Sequence, residues 1–159
     1  MFTRCCCRFE NKSTAMETGM LHLHSILRWL ILLFLLLTMF QAFAKKESIR
    51  KTSLWLLICA HLMLLVGLYQ LIAGRYGIMK GLPEGVVLMK NSFYRFFWVE
   101  HPLMMFVAII LITIARGKAK ALNYKATSWL VFIALLLILA AVPWPFREIG
   151  AGRSWFPGM

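Results

Sequence analysis

The chain has 159 residues, 61% of them hydrophobic, and a formal net charge of +12. A mean hydropathy of +0.74 excludes an aqueous globular enzyme. In a soluble protein the charge would point to nucleic acid, but here the cations gather in short loops between long apolar runs, which excludes that reading.

Residues 1–19 hold Cys5, Cys6 and Cys7 in a run without periodicity. Three successive cysteines cannot build a disulfide framework alone. The expectation is a disordered tail, or a start codon placed too early, with Met16 or Met20 as the true start. Metal binding or lipidation of the cysteines is the alternative.

A membrane-spanning helix needs about 20 apolar residues. Residues 29–44 carry no charge, and extension back past Arg28 predicts a first span near 21–44. A competing reading takes the apolar core from Trp29 to Phe40, with Ala42-Phe43-Ala44 behind it, as a cleaved signal peptide. Lys45 and Lys46 directly after the cut, and the loss of Arg28 with two histidines, speak against it. Residues 52–74 and 126–146 are uncharged and qualify as spans outright. The uncharged run 101–115 is shorter, and its span is predicted near 94–115, past Glu100. Cys59 in the second span reads as a small core residue. Residues 147–159 form a short tail. The predicted fold is therefore all-α, an integral membrane four-helix bundle with no soluble domain left over.

Lys45, Lys46, Arg50 and Lys51 occupy the first loop, and Arg116, Lys118, Lys120 and Lys125 the third. Both loops are short and lie on one side, which the positive-inside rule makes cytoplasmic. Both termini and the 75–93 loop then face outward. Trp55 and Trp129 fall at the inner interface and Trp29, Trp98 and Trp144 towards the outer one, where amphipathic rings concentrate. Trp155 lies in the tail.

Polar residues inside spans are expensive and mark function. Three of the four histidines fall there: His24, His61 and His101. Counted at 1.5 Å per residue from the basic loops, His61 lies roughly 15 Å deep, His101 roughly 22 Å and His24 roughly 30 Å. Arg28 and Glu100 both fall at roughly 25 Å, so depth alone predicts that they pair. Arg28 is four residues after His24 and shares its face. His22 points about 160° away from His24 and reads as interfacial. Pro102 removes a hydrogen bond to the carbonyl of Trp98 and predicts a kink that opens the third helix near His101.

Imidazole is the commonest axial ligand of haem. Two histidines from different helices at similar depth, with a cation for the propionates, would hold a haem b. The preferred pair is His61 with His101, with Arg28 at the propionates. His24 with His101 is the alternative, with Arg95 or Arg147 in that role. Glu100 beside His101 is a candidate proton relay, since quinol oxidation releases protons. No phosphate loop, nucleophile elbow or H-E-x-x-H motif occurs, and the methionines read as filler rather than copper ligands.

The stretches LHLHSILRW (21–29), AHLMLLVGLYQ (60–70), FFWVEHPLMM (96–105), ILITIARGKAK (110–120) and AAVPWPFR (140–147) resemble a small membrane protein common in Bacteroidota and usually labelled "cytochrome B". The resemblance covers roughly residues 17–159. It implies a four-helix inner-membrane protein with a haem role. His24, Arg28, His61, Glu100, His101 and Arg147 are the positions within the matching motifs. The resulting expectation is an electron carrier or subunit rather than a free-standing enzyme. It would exchange electrons with quinone or a redox partner subunit, alone or as a homo-oligomer in the lipid bilayer. The alternative is a cofactor-free protein that assembles or stabilises a respiratory complex, with the histidines fixing helix register.

Overall fold

The computed structural model describes residues 3–146, with side chains described from residue 15 onward. Four helices carry the fold: α1 (Thr3–Phe43), α2 (Ile49–Ala73), α3 (Ser92–Lys120) and α4 (Tyr124–Ala141). No strand occurs among the described residues. Each helix contains a stretch long and apolar enough to cross a membrane. The all-α four-helix membrane bundle read from the sequence is borne out, and the chain is built as a multi-pass membrane protein.

Consecutive helices pack as neighbours and α4 closes back on α1, so α1 faces α3 across the bundle. The two basic loops lie together at one end, where Ala42, Ile49 and Ala119 are buried against Leu122 and Tyr124. Both loops reverse the chain by the same device. Lys45 takes a left-handed conformation (φ 50°), and the amides of Lys46 and Lys45 donate back to the carbonyls of Gln41 and Ala42. Leu122 does the same (φ 56°), with the amides of Asn123 and Leu122 on Lys118 and Ala119. This pattern satisfies helix-terminal carbonyls that would otherwise have no partner. Asn123 then caps α4 by accepting from the amide of Ala126, which lets the next helix start at once.

The helix boundaries differ from the sequence reading in two places. α1 begins at Thr3, so residues 3–19 continue the helix where a disordered tail was expected. That stretch contains no proline to stop a helix spreading from the membrane segment. α4 ends at Ala141 instead of running to residue 146. Pro143 and Pro145 lack amide donors, and the residue before a proline is forced out of the helical region. Val142 is accordingly extended (φ −73°, ψ 128°).

In the half nearest the basic loops, Leu35, Leu56, Ile112 and Val131 are almost completely buried, with Ala115, Ala119 and Ala134 between them. Small residues let membrane helices approach closely, which matters where lipid competes for every apolar contact. Three hydroxyls are buried there as well. Thr38, Thr127 and Ser53 donate to the nearby backbone carbonyls of Phe34, Asn123 and Arg50, which satisfies them locally, while Gln41 Oε1 is buried without a partner.

Candidate functional site: a two-histidine cavity

At the other end the packing opens into a cavity of about 880 Å³. Pro102 is its origin. Proline has no amide hydrogen, so α3 cannot keep its regular ladder there. The chain responds with a π-helical turn over Phe96–Glu100, in which the His101 amide donates to the carbonyl of Phe96, five residues back. The interruption expected at Pro102 thus takes the form of a widened turn, a feature that recurs at functional sites. α-helix resumes at His101 and continues to Lys120.

His101 on α3 and His24 on α1 both line the cavity, and their ring centres lie 6.4 Å apart at an interplanar angle of 50°. His101 is oriented by Nδ1, 2.8 Å from the carbonyl oxygen of Ala141. A carbonyl only accepts, so Nδ1 carries the proton and Nε2 keeps its lone pair. Ala141 ends α4, where carbonyls lack helical partners. The early stop at the proline pair therefore supplies the acceptor that fixes this ring. His24 Nδ1 is buried without a hydrogen-bond partner. On the α2 side, Gly67 faces His24, and a Cβ added there would lie 3.8 Å from His24 Cε1.

Arg28 also lines the cavity. Its Nη2 donates to Ser25 Oγ at 3.2 Å, and its guanidinium lies 5.2 Å from the centre of the Trp29 ring. Nearer the mouth, Arg75 and Glu17 contribute charges of opposite sign. The segment after α2 folds over this end and is tied down twice. Lys80 pairs with Glu17 at 2.8 Å, and Trp98 Nε1 donates to the Tyr76 carbonyl at 2.7 Å. Within α2, Gln70 donates to the Met20 carbonyl of α1 at 3.0 Å. Gly74 permits the exit from α2, because a Cβ there would stand 2.4 Å from the Gln70 carbonyl oxygen.

The structure brings together His24, Arg28 and His101 but leaves His61 apart. His61 is exposed on the outer side of α2, with Nδ1 2.9 Å from the Leu57 carbonyl oxygen of its own helix. The preferred pairing of His61 with His101 is therefore not formed. That both lie well inside the spans was the argument for it, but depth says nothing about direction around a helix. At about 100° per residue, the face of α2 that carries Met63 and Gly67 into the cavity turns His61 outward. The same reasoning failed for Arg28 and Glu100. Glu100 pairs instead with Arg95 at 2.7 Å, with both side chains about 40% exposed. Neither residue lines the cavity, so Glu100 is not placed to relay protons to it. Arg95 also donates to the Met89 carbonyl. Arg147 lies outside the described residues, as does Trp155, and the side chains of Cys5, Cys6 and Cys7 are likewise not described.

Glu17, Gly67, Gln70 and Arg75 escaped the sequence reading. The signal for Gly67 was present, since glycine inside an apolar helix usually marks a close approach. Gln70 and Arg75 stand near the end of α2, and Glu17 lies just before the span predicted near 21–44, where polar residues are ordinary.

The donor set decides which group the cavity suits. Among the described residues no cluster of three or more His, Cys, Asp or Glu side chains can hold a metal ion, which argues against a structural zinc site. Two imidazoles on facing helices fit a metal whose remaining positions are already filled by a macrocycle. His101 also has the hydrogen bond from its second nitrogen that ligating histidines commonly make. His24 and His101 are the residues that could hold such a group. Comparison with protein-family models, curated proteins and solved structures found no match to this chain.

Proposed function

We propose that this chain is a membrane electron-transfer protein of the b-type cytochrome kind, with haem held between His24 and His101. The observation that carries the reading is two imidazoles from facing helices, 6.4 Å apart, on a large cavity between apolar helices. Haem iron, cycling between its ferrous and ferric states, would supply the one-electron chemistry.

The protein's own groups would do the rest. The Ala141 carbonyl holds His101 in the tautomer whose Nε2 can ligate, and a hydrogen bond to the far nitrogen raises ligand basicity. His24 completes the pair from α1. Arg28 within the cavity and Arg75 nearer its mouth are the cations suited to two carboxylates, because a carboxylate at this depth needs a charged partner. Met105, Ile109 and Ile138 on the lining keep the surroundings apolar, which favours the less charged state of a redox centre. Quinone in the bilayer, or a partner subunit, would exchange the electron. The two basic loops support a bacterial inner-membrane orientation with the loops in the cytoplasm and the cavity end towards the periplasm.

The test is a dithionite-reduced minus oxidised spectrum of protein purified in detergent, with a pyridine haemochrome assay. A sharp α-band and about one haem per chain are expected for a bis-histidine site. His24→Ala and His101→Ala should each weaken haem binding by more than about 100-fold, beyond the effect of losing an outer hydrogen bond. His61→Ala should keep the band. A flat spectrum from folded, haem-supplemented protein would transfer the case to a cofactor-free assembly role.

A further inference from the structure

α2 presents a second organised face, which meets the cavity only at Leu68. Leu54, Ile58, His61, Leu65, Leu68 and Ile72 recur at alternating intervals of four and three, the spacing of a coiled-coil seam. All six are exposed, and Leu65 reaches 65%. His61 is the middle residue of the 25-residue helix, so roughly 18 Å of helix separates it from either end.

An exposed seam of leucines needs no explanation in lipid, but the histidine at its centre does. A polar group facing hydrocarbon costs free energy until it finds a partner. Lysine and arginine escape by reaching to the interface, and an imidazole is too short for that distance. The hydrogen bond to the Leu57 carbonyl uses only Nδ1 and leaves Nε2 on the lipid side. Headgroups are out of range, so the missing partner is a polar group at the same depth on another protein surface.

We propose that this seam is a homodimer interface, α2 against α2 of a second copy, around a two-fold axis along the membrane normal. Such an axis sets each residue opposite its own counterpart at equal depth. His61 then meets the partner's His61 without any further coincidence, whereas an unrelated subunit would need its own polar group at that level. One ring keeps Nδ1–H on the Leu57 carbonyl and accepts at Nε2; the other carries its proton on Nε2, donates it to the first ring and gives up its own bond to Leu57. A single polar pair inside an apolar seam fixes register and parallel orientation, as asparagine does in soluble coiled coils. This interface does not depend on the haem reading, because Leu54, Ile58, His61, Leu65 and Ile72 do not line the cavity.

The experiment is a cysteine scan along α2 in the full chain reconstituted in phosphatidylcholine vesicles, with the native cysteines replaced. Ile58→Cys, Leu65→Cys and Leu68→Cys should give disulfide-linked dimers. Leu62→Cys, equally exposed but turned about 100° from His61, should not. In energy-transfer titrations of labelled chains, His61→Leu should weaken association by about 3–30-fold, the range of membrane interhelical hydrogen bonds, and His61→Asn should restore part of it. Equal cross-linking at Leu62→Cys, a monomeric wild type, unchanged or tighter association of His61→Leu, or cross-links in native membranes only to a different protein would each overturn the proposal.

Discussion

The two ends of this bundle are made of similar residues and packed to opposite purposes. At the basic end, alanines and short hydroxyl residues draw the helices together, and residues such as Thr38, Thr127 and Ala134 are fully buried. The buried hydroxyls of Thr38, Ser53 and Thr127 are each satisfied by a nearby backbone carbonyl. At the cavity end, α3 carries a π turn and α4 stops early. His24 Nδ1 is left buried without a partner beside about 880 Å³ of space. One end holds the helices in register, and the other uses that rigidity to keep two histidines facing each other. A membrane protein gains little from burying apolar surface against itself, so an open half is affordable only where a closed half fixes the frame.

Substitutions can break this contrast, beginning with the largest effect. Pro102→Ala restores the missing amide and removes the reason for the π turn. The helix should remain, by circular dichroism, while His101 rotates out of alignment. Haem affinity should fall by about 10–100-fold, comparable to losing an orienting contact at a metal ligand. Ala134→Leu places a large side chain in the closed half, where Ala134 has no exposed surface. Overpacking should destabilise by about 1–3 kcal/mol, measurable as an earlier midpoint in a denaturing-detergent titration.

Adding a single methyl group at the open end should have the reverse sign. A Cβ at Gly67 meets only His24 Cε1, at 3.8 Å, so Gly67→Ala clashes with nothing and gains helix propensity. It should stabilise the apoprotein by up to about 1 kcal/mol in the same titration. An equal loss of stability at Gly67 and at a closed-end position would show that the two halves are packed alike. The smallest effect belongs to Arg95→Gln. Its ion pair with Glu100 is about 40% exposed on both sides, so the change should cost less than about 1 kcal/mol and leave the haem band unaltered. Loss of the band would return Glu100 to the site.

Much of the frame was legible because it depends on position along the chain. Uncharged runs located four spans, and the cations located the shared end of two loops. Pro102 located the break in α3, although its form as a π turn depends on how the neighbouring helices receive the extra residue. The site was legible by residue type and not by pairing. His24, His101 and Arg28 were candidates from the start, but depth alone wrongly joined His61 to His101 and Arg28 to Glu100. Depth follows directly from counting residues. Direction around the axis has no such rule in helices that are apolar on nearly every side, since such a helix carries no stripe to show which face is turned inward.

The sequence by itself determined a multi-pass all-α membrane chain, its four spans and the residue types that can carry chemistry. Those features follow from the cost of placing charges and unpaired backbone groups in hydrocarbon, which acts on each segment alone. Only the tertiary structure decided that His24 faces His101, that the end of α4 supplies the carbonyl for His101, and that His61 turns to the lipid. Those outcomes depend on helix rotation, which is set by small residues meeting between helices and by nothing that one helix contains.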